Sequence, residues 1–187
     1  TNTALLAGVA LTAEGHAEAS MGVDAGDFDN DGDEDLFMTE LNGEGSNLYV
    51  NDGAGLFDDH AARSGLGPLS LQYTGFGTAW LDFDNDGWLD LLSVNGRVQA
   101  AEGDTREPFP LEQPKLLFRG LGNGRFEDVT AGAGAALTVA DVSRGAAFGD
   151  VDNDGDTDVV VGNNNGPIRL LMNNAGSAHH WLGLRVL

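Results

Sequence analysis

Short apolar runs, not amphipathic stripes, organise this chain. "LFMTEL" (Leu36–Leu41), "LLSV" (Leu91–Val94) and "VVVG" (Val159–Gly162) are continuous, partly β-branched and bounded by turn-forming residues. Runs of that kind predict strands covered on both faces rather than helices. A second apolar run follows each. "NLYVNDGAGLFDD" (Asn47–Asp59) aligns with "LLFRGLGNGRFED" (Leu116–Asp128), and "RLLMNNAGS" (Arg169–Ser177) begins a third copy that then diverges. "NDG" and "GNG" between such runs are hairpin signals, because Asn, Asp and Gly tolerate the positive φ of tight β-turns. Each unit therefore reads strand, polar loop, strand, connection, strand, Gly turn, strand, which is one small antiparallel sheet per repeat. The opening "TNTALLAGVALTAEGHAEAS" lacks a basic n-region and reads as a β-rich segment rather than an intact signal peptide.

The polar loop ahead of each first apolar run is the same acidic phrase: "DFDNDGDED" at Asp27–Asp35, "DFDNDGWLD" at Asp82–Asp90 and "DVDNDGDTD" at Asp150–Asp158. The match extends upstream, where Gly22, Gly77 and Gly145 each lie five residues before the first Asp. Repetition with kept spacing marks a repeat architecture. Like charges this close repel unless something positive sits among them.

Numbering the loop from its first Asp, carboxylates fall at positions one, three, five and nine in every copy. Those residues are Asp27, Asp29, Asp31 and Asp35; Asp82, Asp84, Asp86 and Asp90; Asp150, Asp152, Asp154 and Asp158. Position six is always glycine. Position seven is Asp33, Trp88 or Asp156. Alternate side chains pointing inward, a glycine for the sharp bend and a backbone carbonyl from position seven are the logic of a loop wrapped around a hard cation. Trp88 fits only as a carbonyl donor. An all-oxygen donor set selects Ca2+ or Mg2+ over transition metals. Ca2+ takes six to eight flexibly placed oxygens and suits the loops better than Mg2+, so about three Ca2+ ions are expected. An EF-hand is excluded, because its twelfth position needs Glu and here holds Met38, Ser93 or Val161, and because the flanks are strands.

Composition narrows the function classes. The chain of 187 residues carries 30 acidic and 9 basic side chains, a formal net charge of −21. That balance argues against nucleic acid and against anionic membrane surfaces, and no apolar run is long enough to span a bilayer. With 28 Gly against 5 Pro, tight turns are favoured over long helices. The absence of Cys removes disulfides, thiolate catalysis and the common structural zinc sites. The four histidines, His16, His60, His179 and His180, form no recognisable catalytic constellation, and the signatures G-x-S-x-G and H-E-x-x-H are missing.

The stretches Gly75–Leu92, Leu116–Thr130 and Ser143–Gly162 resemble the FG-GAP/VCBS repeat family. The resemblance implies an all-β fold of β-propeller blades with calcium-binding loops, as in integrin α-chain heads, an extracellular, secreted or periplasmic location, and binding or adhesion roles. The units run about 19–66, 72–132 and 140–178. Residues 179–187, "HHWLGLRVL", resemble the truncated start of an ASPIC/UnbV region, which follows such repeats in homologues of cartilage acidic protein 1. Closed propellers have four to eight blades. Three to four four-stranded sheets thus make a partial propeller, completed by further blades of a longer chain or by self-association.

The function expected is a calcium-stabilised scaffold presenting loops to a protein or glycan ligand. The alternatives are a domain of a secreted propeller hydrolase or lyase, or a lectin in which Trp88 or Tyr73 stacks on a sugar. Between Asn95 and Lys115 the middle unit carries an insertion, and Arg97, Arg106, Phe109 and Lys115 make it the candidate ligand surface.

Overall fold

The computed structural model describes residues 2–99 and 111–176. Among them, three antiparallel sheets follow one another along the chain. The first takes β1 (Gly22–Gly26), β2 (Asp35–Thr39), β3 (Asn47–Asn51) and β4 (Phe57–Asp59) in sequence order. The second repeats the order with β5 (Gly75–Leu81), β6 (Asp90–Asn95), β7 (Leu116–Gly120) and β8 (Phe126–Asp128). The third has β9 (Ser143–Gly149), β10 (Asp158–Asn163) and β11 (Arg169–Leu171). Each acidic phrase connects the first strand of its sheet to the second. The pairs Leu36–Tyr49, Leu91–Phe118 and Val159–Leu171 occupy the same rung of the three ladders. This is an all-β partial propeller of three blades.

The blades stack because their innermost strands lie side by side. Thr39 Oγ1 donates to Phe76 O (2.9 Å), and Trp80 N donates to Asp24 Oδ2 (2.9 Å). The glycines matched ahead of each acidic phrase permit this approach. A Cβ on Gly22 would stand 1.8 Å from Phe76 O, and one on Gly77 would stand 2.6 Å from Ala146 N. Only a residue without a side chain lets the two backbones meet there. The equivalent Gly145 meets nothing within 4 Å. The outer side of the third blade is therefore open, and Val160 and Leu170 are exposed on it.

Two apolar cores fill the gaps between blades. One joins the first and second blades through Phe28, Phe37, Leu48, Leu91, Leu116, Phe118 and Phe126. Within it Phe28 stacks on Trp80 with ring centroids 5.6 Å apart, and Phe126 lies 5.7 Å from Phe28. The other joins the second and third blades through Leu81, Leu92, Val94, Leu117, Val159 and Val161. Leu91 and Leu92 face opposite cores, as the two-residue period of a strand requires. Every residue of β6 is buried, as expected for a strand covered on both faces. β2 alternates between buried and half-buried, and β10 exposes Val160. Coverage of both faces needs a blade on either side, which among the described residues only the middle blade has.

The opening segment departs from the strand reading. It forms a helical turn, α1 (Ala4–Ala7), ended by Gly8 at φ 87°, and among the described residues no strand precedes Gly22. Its contacts run to β3 and the edge strand β4 of the first blade: Tyr49 Oη donates to Leu11 O (3.4 Å), and Ala13 N donates to Asp59 Oδ2 (3.1 Å). A run with no two-residue alternation has no face to pair with, so edge contacts decide its shape.

At the ends of the blades opposite the acidic phrases, buried carboxylates tie segments together. Glu40 is buried and accepts from both Ser20 N and Ser20 Oγ. Burial, with Glu18 and Glu44 nearby, raises its pKa to about 7 against the Ser20 hydrogen bonds. A folded-state pKa above the unfolded value gives stability that is full below the unfolded pKa and lost as pH rises through about 7. Glu40→Gln keeps an acceptor and removes the charge. The variant is expected to be more stable than the parent at pH 8, by roughly 2 kcal/mol, with most of the difference gone at pH 5. Thermal melts across pH 5 to 8 check this, and equal pH profiles for the two proteins would refute it.

Candidate metal centres

Each acidic loop is shaped by two positive-φ residues. Position four is Asn30, Asn85 or Asn153 (φ 61°, 54° and 63°), and position six is Gly32, Gly87 or Gly155 (φ 98°, 90° and 93°). Asn is the side-chain-bearing residue that visits this region most easily, which is the physical content of the repeated "DNDG". The bend aims the backbone N–H groups of positions five and six at the first carboxylate. Asp31 N and Gly32 N each lie 3.0 Å from Asp27; Asp86 N and Gly87 N lie 3.0 and 2.9 Å from Asp82; Asp154 N and Gly155 N each lie 3.1 Å from Asp150. The position-five carboxylate accepts the N–H of position seven at 3.0 Å in all three loops.

Position nine sits beneath the loop and is buried every time, as Asp35, Asp90 and Asp158. It staples the loop to the third strand of its sheet. Asp90 accepts from Phe83 N (2.9 Å) and Gly120 N (2.8 Å). Asp158 accepts from Val151 N (2.9 Å) and Asn173 N (2.8 Å). Asp35 accepts from Asn51 N (2.8 Å). The staple role was not visible in sequence, because its donors lie up to thirty residues away.

Three carboxylates in each loop bring oxygens within 4.8 Å of one another: Asp27, Asp29 and Asp35; Asp82, Asp84 and Asp86; Asp150, Asp152 and Asp158. In the first loop Asp29 Oδ1 and Asp35 Oδ2 are buried with no hydrogen-bond partner. Buried carboxylate oxygens without donors are costly, and a cation held between them would satisfy both. Burial, reinforced by neighbouring aspartates, pushes the pKa of Asp35 up to about 6 and that of Asp90 up to about 7. Asp29 and Asp84 are raised for the same reason. The donor set is all oxygen, so the residues present fit Ca2+ or Mg2+.

The other predicted ligands lie around these clusters. Asp31 and Asp154 cap the turn from position five. Position-seven side chains point away toward neighbouring structure. Asp33 reaches the β3–β4 turn, where a Cβ on Gly53 would meet Asp33 Oδ2 at 2.7 Å, and the Trp88 ring lies against Gly122. Asp156 Oδ1 accepts from Asn85 Nδ2 (3.0 Å), which links the second and third loops.

The FG-GAP-like repeat model matches residues 27–93 and 112–161, more than half of the chain, and its two segments contain all three acidic loops. The chain belongs to the FG-GAP-like repeat family. Among curated proteins, cartilage acidic protein 1 of Mus musculus is 44% identical over 59 residues, and that of Xenopus tropicalis is 41% identical over 59 residues. Each match covers 32% of this chain and 9% of the relative's length.

The FG-GAP blades rearrange the candidate ligand surface read from sequence. Lys115 is fully buried: its ammonium pairs with Asp141 and donates to Val139 O (2.9 Å). Arg169 holds the same carboxylate through Nε and Nη2 (2.6 and 2.8 Å). The Arg169 and Lys115 bonds together keep the Asp141 pKa low, at about 2. Lys115 is thus an inter-blade tie and not a contact residue. Trp88 and Tyr73 are half-buried, one against Gly122 and the other on the first core, so neither is an open stacking platform. His60 Nε2 lies 3.1 Å from Asp58 at the surface. Arg106, Phe109 and the segment 179–187 lie outside the described residues, and no helix among those described is long and apolar enough to cross a membrane.

One residue at the site went unread in sequence. Arg119 on β7 places Nη2 2.9 Å from Asp84 and 3.1 Å from Asp86. Its signal was available, since Val50 and Met172 stand one residue past the matched rungs where this chain has Arg119.

Proposed function

We propose that the three acidic loops bind Ca2+ and that the blades form part of a secreted or extracellular binding scaffold. The observation that carries this reading is the pair of buried, donorless oxygens of Asp29 and Asp35 inside a carboxylate cluster whose counterparts recur in the next two blades. Asp27, Asp29 and Asp35 would hold the first ion, Asp82, Asp84 and Asp86 the second, and Asp150, Asp152 and Asp158 the third, with a backbone carbonyl from position seven. The ion would supply positive charge that lets the carboxylates remain ionised while packed together. Family membership supports the module's role as a propeller repeat, and the open outer face of the third blade supports a continuation of the ring, by further blades or by a second copy. A rigid ring would then offer its loops to a protein or glycan ligand. Calorimetric titration of chelator-stripped protein checks the metal reading. Ca2+ is expected to bind tightly at more than one site and Mg2+ at least about tenfold more weakly, since Mg2+ keeps its waters in a flexible cage. Heat traces without Ca2+ binding would overturn it.

A further inference from the structure

The three loops share spacing, backbone shape and hydrogen bonds, yet they differ in the charge that surrounds them. Part of the difference lies in the loops themselves, where position seven is Asp33, Trp88 or Asp156, and part comes from the third strand of each blade. Tyr49, Phe118 and Leu171 occupy one equivalent rung, so the next residues, Val50, Arg119 and Met172, stand at one equivalent place beside the loop. Two of them are apolar. Arg119 extends its guanidinium over the second loop, with Nη2 2.9 Å from Asp84 Oδ2 and 3.1 Å from Asp86 Oδ2. Both carboxylates belong to the three-oxygen cluster of that loop. The second loop thus contains a cation of its own chain among the oxygens that would hold a metal.

We propose that Arg119 is a tethered counter-ion that makes the second loop the weakest of the three metal sites and the least dependent on metal for its shape. This rests on the reading that the loops bind Ca2+. A guanidinium in ion-pair contact with two carboxylates acts on the loop in two ways. It neutralises part of the charge that draws a divalent ion, and it occupies acceptor positions the ion must take over. Entry of Ca2+ requires Arg119 to swing outward, which its half-exposed side chain allows. The first and third loops have no such competitor on the equivalent rung, so they depend on an external ion. Arg119 acts through Asp84 and Asp86 and is a positioning residue for them.

Calorimetric titration of stripped protein with Ca2+ tests this. The wild-type protein is expected to fill two sites first and a third about tenfold more weakly. Arg119→Met, the residue found on the third blade, is expected to bring the third site into the first phase. Arg119→Lys keeps a charge there and should retain the weak phase. Asp84→Asn should remove the weak phase and leave the tight one. In chelator, Arg119→Met should melt below wild type, because the second loop has lost its internal cation, and in saturating Ca2+ the two should converge. Three equal sites in wild type, or a weak phase unchanged by Arg119→Met, would refute the proposal while leaving Ca2+ binding intact. Absence of binding at any loop would overturn both.

Discussion

Asp90→Ala is expected to destabilise the protein by about 3–5 kcal/mol. The carboxylate is buried, and its two oxygens accept from Phe83 N and Gly120 N. Alanine leaves two buried N–H groups without acceptors, each costing about 1–3 kcal/mol, and opens a void under the loop. The loss should persist in chelator, because the staple is built from backbone donors. Asp90→Asn should recover only part of it, since its NH2 group would face one of the two donors. Asp31→Ala makes the useful contrast: its side chain is exposed and caps Asp33 N, so the expected cost in chelator is about 1 kcal/mol. Urea melts of the three variants check the order, and equal losses for Asp90→Ala and Asp31→Ala would contradict it.

Removing metal is expected to lower the melting temperature by roughly 15–30 °C. Each ion bound at a hundred times its dissociation constant contributes about 2.7 kcal/mol, and a chain of this size moves by about 2–4 °C per kcal/mol. The relief of the buried, donorless oxygens of Asp29 and Asp35 is one source of that binding energy. Excess chelator should therefore destabilise the protein in differential scanning calorimetry, and re-added Ca2+ should restore it. A melting curve indifferent to chelator, on protein shown free of metal, would contradict the expectation.

Much of the fold was legible because the informative contacts are local or periodic. The apolar runs became β2, β6 and β10, and the Gly-rich turns became the hairpins before Phe57 and Phe126. The repeated "DNDG" carried the loop shape, although the positive φ of Asn30, Asn85 and Asn153 adds a constraint beyond the glycine. What stayed hidden depends on partners distant in sequence. Lys115 read as part of the candidate ligand surface, yet Asp141, twenty-six residues on, draws it into the interior. Arg119 looked like an ordinary strand residue until the ladder register set it over Asp84 and Asp86. Gly22 and Gly77 were visible as matched positions, but their reason, the backbone of the next blade, appears only when the sheets stack.

Anomalous diffraction from crystals grown in millimolar Ca2+ tests the central claim most directly. Peaks are expected in the clusters of Asp27, Asp29 and Asp35 and of Asp150, Asp152 and Asp158, with oxygens at about 2.3–2.6 Å. Well-ordered loops holding only water under those conditions would contradict it.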